Sequence, residues 1–291
     1  MINIYDSILS DPAYFKQLAV KDLILVNYPC PQIERWENIF THMNHIIYTV
    51  EGQRILWRPP GQEKVLEEGD LIFVRKGAFR QGKFLEGSWR VIVFCVPDRY
   101  LQNLARDFRS RLPANGMTSL SEDALIDIHT DNITHGYFHG LLPYFTQAPP
   151  PSENWLELKC REFFFHILSN PSNAPLLSYV NSLAEQLKPS LMEVMETNFM
   201  YNLSLEEYAK ISRRSLTVFK KDFSEIFHIT PGKWLIKKRL DYAHSLLSSS
   251  QKNVNEIAYD SGFESVTHFY RVFKEQFGQA PLRYRRMAIE K

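Results

Sequence analysis

Three phenylalanines spaced four apart, with a proline four residues beyond, occur twice in this chain: Phe219, Phe223, Phe227 and Pro231, then Phe269, Phe273, Phe277 and Pro281, each shifted by 50. Residues at i, i+4 and i+8 lie along one side of an α-helix, so each ladder predicts a helix that buries that side against another element. Each proline closes its ladder, because a residue without an N–H and with a fixed φ does not continue a helix from within. Trp234 maps onto Tyr284 by the same shift. Self-similarity at a fixed period restricts this part of the chain to two copies of one supersecondary unit.

Each copy reads as a short helix, a turn and a longer helix. Ser204-Leu-Glu-Glu207 has the capping-box pattern and Asn253-Val-Asn-Glu256 a related one, and each opens a short amphipathic segment. Ala209 and Ala258 in those segments let a second helix approach closely. The turns differ: "KISRR" in the first copy, and "DSGF" in the second, where Gly262 suits a left-handed helix end. Between the buried phenylalanines stand Thr217, Lys220 and Lys221 in one copy, Thr267 and Arg271 in the other. Two helices with a tight turn and a polar-basic outer face make a helix-turn-helix; on spacing alone, an amphipathic core helix is the plainer alternative. Thr230-Pro231 is expected to cap a long joining helix through about Leu247, with Trp234, Leu235, Leu240, Ala243 and Leu247 on its apolar side.

Composition sets limits. A chain of 291 residues exceeds one ordinary domain and predicts two, each able to bury a core. At 44% hydrophobic and 23% charged it has the make-up of a soluble globular protein. No run of about 18 apolar residues offers a membrane span. The start, Met1 to Asp6, has neither the basic stretch nor the apolar core of a secretion signal, so a cytoplasmic location is expected. Cys30, Cys95 and Cys160 are widely spaced and odd in number, as reduced structural cysteines would be. The net charge of +1 hides an asymmetry: residues 189–291 carry 16 Lys and Arg against 12 Asp and Glu, and the remainder 18 against 21. A mildly basic back half permits a nucleic-acid partner without requiring one.

Residues 20–97 hold short β-branched and aromatic runs, "LILVNYP", "HIIYTVEG", "RILWRPP", "DLIFVRKG" and "WRVIVFCVP", parted by turn signals such as Glu68-Gly69-Asp70. They predict a small antiparallel barrel or sandwich. Helical texture follows Pro97, and Ser152–Asn170 is a helix candidate in which Leu156, Cys160, Phe163 and Ile167 form a coiled-coil-like seam. A dimer seam is one expectation for those four, and packing against the barrel is the other. The expected class is α+β. A regulatory and dimerisation domain covers 1–170, with the barrel at about 20–97 and helices at about 98–170. A linker and short helix cover 171–188, where "NPSNAP" denies a continuous helix. An all-α domain of two helix-turn-helix motifs joined by a long helix covers 189–291.

Leu203–Arg286 resembles the two-motif DNA-binding domain of the AraC/XylS transcription regulators, through "SLEEYA", "FKKDF", "TPGKWLIKKRLDYAHSLL", "VNEIAYDSGFESVTHFYRVFKEQFG" and "APLRYRR". The specific part is the spacing of Gly262-Phe263, Phe269, Phe273-Lys274, Phe277-Gly278, Pro281 and Tyr284-Arg285. The resemblance implies sequence-specific binding of double-stranded DNA, activation more often than repression, a homodimer, and contact with RNA polymerase where it activates. It sets Thr217, Lys220 and Lys221 of the first recognition helix, and Val266, Thr267 and Arg271 of the second, against the bases. Lys and Arg donate to guanine O6 and N7, and Thr and Val touch a thymine methyl, so the chemistry agrees. Arg213, Arg214, Ser265 and His268 are expected to bind phosphates or cap helices, as are Lys237, Lys238 and Arg285. A solvated charged face is the plainer reading of the same residues. Three departures from the family pattern are visible: His228 stands where glycine is common, "KISRR" lacks glycine, and Lys220-Lys221 replace a more mixed pair.

The front half, with "EEGDLIFVRKGAFRQGKF", resembles the cupin-like regulatory domain of the same family. A metal-binding cupin would place histidines near Phe79 and Arg80 and a His-x-His pair earlier. Here only His42-Met-Asn-His45 stands, so neither a metal nor a cofactor is expected, and a cupin-type enzyme is disfavoured. Control by a small molecule in the barrel is the first expectation. The alternative is control by a protein partner, because "VEGQ" and "LEEGDLIFVRKGAF" resemble the activators of type III secretion genes, which answer to partner proteins.

Overall fold

The segment Trp89–Val96 is apolar at every position but Arg90, a pattern that suits a strand covered on both faces. In the computed structural model it is such a strand: Val91, Val93 and Cys95 enter one buried cluster, and Ile92, Phe94 and Val96 enter another. The structure describes residues 2–30, 36–58, 62–82, 88–108, 124–185 and 188–289. The chain divides into two units, Met1–Leu187 and Lys188–Lys291.

The first unit opens with β1 (Ile2–Asn3), α1 (Ile4–Ser10), β2 (Lys16–Val20), β3 (Leu23–Cys30), β4 (Glu37–Thr41) and β5 (Asn44–Glu51). It continues with β6 (Arg54–Arg58), β7 (Gln62–Leu66), β8 (Leu71–Val74), β9 (Gly77–Gly82) and β10 (Trp89–Val96). Then come α2 (Asp98–Phe108), β11 (Leu125–Ile128), α3 (Asn132–Leu141), α4 (Glu153–Ser169) and α5 (Ala174–Ala184). The strands form two sheets, ordered β1-β4-β9-β6-β7 and β11-β8-β5-β10-β3-β2. Their pairing is antiparallel apart from β1 with β4.

The period of two sorts the side chains. Val26, Tyr28, Ile47, Ile72 and Val74 of the six-stranded sheet meet Ile39, Leu56, Leu66 and Phe79 of the other sheet. Leu25, Ile46, Tyr48, Phe73 and Phe94 point the opposite way, onto α2, α3, α4 and α5. The class is α+β as expected, but helices cover one sheet so thoroughly that its central strands carry no polar face. Cys95 and Cys160 lie in these cores, and burial pushes both thiols up to about 12. His45 is buried too, bonded at Nε2 to Thr41 Oγ1 over 3.1 Å, and burial lowers it to about 3.

Two expectations change here. Leu156, Cys160, Phe163 and Ile167 are all within 3% of full burial, inside the core that α4 shares with the six-stranded sheet. They are core residues of a single chain, not an exposed dimer seam. The outer side of α4 carries Trp155, Leu158 and Phe165 instead. The second concerns 171–188, where the expected short helix is present but belongs to the first unit's core. Helix α5 puts Leu176, Leu177, Tyr179, Val180 and Leu183 into the same core, and Tyr179 donates to Asn44 Oδ1 at 2.9 Å. Its one proline does not interrupt it: Pro175 sits at the helix start, where no N–H is needed, and Pro171 precedes the helix.

The second unit comprises α6 (Leu191–Asn198), α7 (Leu205–Ile211), α8 (Leu216–Phe227), α9 (Pro231–Ser249), α10 (Val254–Asp260), α11 (Val266–Phe277) and α12 (Pro281–Ile289). Each proline that closes a Phe ladder also starts the next helix. Among the described residues no helix is long and apolar enough to cross a membrane.

Candidate nucleic-acid interface

Both motifs are built by the same local chemistry. Ser204 and Asn253 complete capping boxes with Glu207 and Glu256, which start α7 and α10. Ser215 and Ser265 accept from Val218 N and His268 N at 3.3 and 3.2 Å, and so start α8 and α11. Phe219, Phe223, Phe269 and Phe273 are fully buried. The third rings close each ladder against the following helix: Phe227 lies 5.8 Å from Trp234, and Phe277 lies 6.2 Å from Tyr284. His244 of α9 joins the second of these stacks, 4.8 Å from Phe277 and 4.7 Å from Tyr284.

With those rings inward, the opposite faces of α8 and α11 are exposed at Thr217, Lys220 and Lys221, and at Thr267 and Arg271. Val266 is half-buried against the second motif's core. Arg271 pairs with Glu275 at 2.7 Å and Lys221 with Glu225 at 3.9 Å, both one turn along the same helix. Exposed pairs of this kind contribute only about 0.3–0.5 kcal/mol, so a phosphate or base edge can displace them.

The residues expected to hold phosphates divide by their partners. Arg214 is nearly buried; its Nε donates to Asp222 at 2.9 Å and its Nη1 to the carbonyls of Pro189 and Ser212. It clamps the turn to the start of the unit and is spent there, which corrects its expected phosphate role. Lys238 pairs with Glu196 at 2.7 Å and lies over the Phe199 ring. Arg285 donates to the carbonyls of Leu247 and Lys252, closing the end of α9. Ser265 caps α11, and His268 turns its edge to Phe263. Arg213 occupies the left-handed region at φ 55, and Lys237 is exposed.

One residue of this region escaped sequence reasoning. Arg239 stands in the stripe Leu235, Arg239, Ala243, Leu247, four apart on α9, whose other members are buried. A charge set into an apolar stripe signals a buried, hydrogen-bonded group. Its Nε donates to the Phe199 carbonyl at 2.7 Å and its Nη2 to the Tyr201 carbonyl at 2.9 Å.

Residues 206–287 match the family model described as a helix-turn-helix domain, and residues 44–179 match the one described as the ExsA N-terminal regulatory domain. The chain belongs to the AraC/XylS family of transcription regulators. The regulator is 24% identical over 243 residues to the thermoregulatory protein LcrF of Yersinia pestis, covering 84% of this chain and 89% of that protein. It is 24% identical over 220 residues to the HTH-type transcriptional regulator ExsA of Pseudomonas aeruginosa, covering 76% and 78%. Among solved structures it is similar to ToxT from Vibrio cholerae, with a TM-score of 0.42 and 16% identity over 91% of this chain and 98% of that one. The regulator is thus a DNA-binding helix-turn-helix protein, and its relatives are regulators rather than enzymes.

Proposed function

We propose that α8 and α11 enter two successive major grooves about 34 Å apart on one face of the duplex, and that the 189–291 domain activates transcription from such sites. Thr217, Lys220 and Lys221 read one half-site; Val266, Thr267 and Arg271 read the other. The observation that carries this reading is the doubled motif: two helices with equal capping serines and equal buried rings leave equivalent outer faces exposed. Selection of genomic fragments by the purified protein at near-physiological salt tests it. Retained fragments should share a two-part site with halves one helical turn apart. Retention without sequence preference, vanishing with added salt, would reduce the domain to a basic helical module.

Control of the regulator is assigned to the front unit, by way of a homodimer and RNA polymerase in the cytoplasm. A specific observation favours a protein partner over a small inducer. Among the described residues, the core between the two sheets holds bulky side chains, including Tyr28, Phe79, Trp89 and the buried Arg54, whose guanidinium lies 4.9 Å from the Trp89 ring. Thermal denaturation of the purified regulator with fractions of its host's extract separates the two readings. A macromolecular fraction should raise the melting temperature, whereas stabilisation by the dialysable fraction alone would return control to a small molecule.

A further inference from the structure

We propose that Arg239 is a positioning residue that locks the two helix-turn-helix motifs at one mutual orientation and so sets the half-site separation the regulator accepts. The DNA part of this proposal rests on the reading above. The two motifs are joined through α9, and α9 is connected to α8 and α10 by the short stretches 228–230 and 250–253. Joints of that kind leave room for one motif to turn relative to the other. A second junction closes that freedom, and Arg239 is its centre.

On one side Arg239 holds the first motif. Its two bonds go to the carbonyls of Phe199 and Tyr201, in the stretch that leads from α6 into α7. Tyr208 of α7 holds the same stretch, donating its hydroxyl to the Asn198 carbonyl at 2.8 Å. On the other side lies the turn of the second motif. Gly262 has φ +90, and a Cβ there would lie 2.7 Å from the Met200 carbonyl oxygen and 2.9 Å from Arg239 Nε. The pinned stretch and the guanidinium therefore press directly on that turn. Beside them Asn202 Nδ2 donates to Glu264 Oε1, a bond that runs from the flank of the first motif to the turn of the second. The planar guanidinium holds both carbonyls from two fixed donor positions; a lysine ammonium, a single point charge on a flexible stem, lacks that fixed fork. The arginine thus ties a backbone segment of one motif to the turn that aims the recognition helix of the other.

Two readouts on the full-length protein test this. In the first, cysteines replace Glu225 and Glu275, exposed near the ends of the two recognition helices, and carry spin labels. The native Cys30, Cys95 and Cys160 are buried and stay unlabelled. Without DNA, the label-to-label distance distribution should be single and narrow, and should broaden in Arg239→Lys. In the second, DNA with a selected two-part site is compared with the same DNA carrying one extra base pair between its halves. The unmutated regulator should lose about tenfold or more in affinity, and Arg239→Lys only a small part of that. A lowered melting temperature with an unchanged distance distribution and an unchanged spacing penalty would overturn the proposal, leaving Arg239 as an ordinary core arginine. If Arg239→Lys does not fold, the surface pair Asn202→Ala and Glu264→Ala is read in the same two ways, with the same outcomes for and against. If the unmutated regulator selects no two-part site, the DNA reading fails, and the distance distribution still decides the lock.

Discussion

At the turn of the second motif Gly262 takes a left-handed φ of +90, and the equivalent place in the first motif is held by Arg213 at φ 55. The hydrogen bonds are the same: Gly262 N and Phe263 N reach back to Tyr259 and Ala258, as Arg213 N and Arg214 N reach back to Lys210 and Ala209. The recognition helices then end alike, on His228 at φ 54 and on Gly278 at φ 73. The backbone demands the left-handed conformation in all four places, yet only at Gly262 does a neighbour also forbid a side chain. Glycine is thus a steric necessity in one motif and a replaceable preference in the other. The wedge after the turn differs too. Phe263 fills the second core with a ring, whereas Arg214 fills the first with hydrogen bonds.

The largest effects should show the two motifs to be alike. Phe219→Ala and Phe269→Ala should each cost about 3–5 kcal/mol in urea unfolding, since both rings are fully buried. A much smaller loss in one would mean that its ladder is less tightly packed. The next effect should separate the motifs. Gly262→Ala is expected to cost about 2–3 kcal/mol, from a strained φ and a clash with the Met200 carbonyl. Arg213→Ala should cost clearly less, because its left-handed strain is already present; equal losses would remove the distinction.

DNA affinity gives a third comparison. Arg271→Ala should weaken binding by about 1–3 kcal/mol and relax preference at one base pair, because guanidinium to guanine is bidentate. Lys221→Ala, at the equivalent place, should cost less and relax preference less. Equal affinity and equal base preference in an Arg271→Ala titration would remove that residue from the base-reading set. The smallest effect should be a gain: His228→Gly relieves a left-handed histidine and is expected to stabilise by up to about 1 kcal/mol. A measured loss would mean that the imidazole makes contacts worth more than the strain.

Much of this molecule was legible beforehand, for reasons that can be stated residue by residue. The Phe ladders, the capping serines and the apolar run at Trp89–Val96 depend on neighbours within a few positions, and periodicity reports them directly. What was misjudged concerned partners far along the chain. Helix α4 carries two apolar stripes, and the inner one was read as a possible dimer seam because spacing alone does not say which stripe meets a sheet. Arg214 looked free for phosphate because nothing in "KISRR" announces Asp222 and the Pro189 carbonyl as its partners.

The sequence by itself determined that two equal helical units follow a β-rich half, and which side of each recognition helix would be buried. Side-chain spacing and helix caps are local properties, and they survive without knowledge of the fold. The tertiary structure decided which charges remain free to meet DNA and which are consumed as struts. That choice depends on carbonyls and carboxylates brought alongside from elsewhere in the chain, as Phe199 and Tyr201 are brought to Arg239.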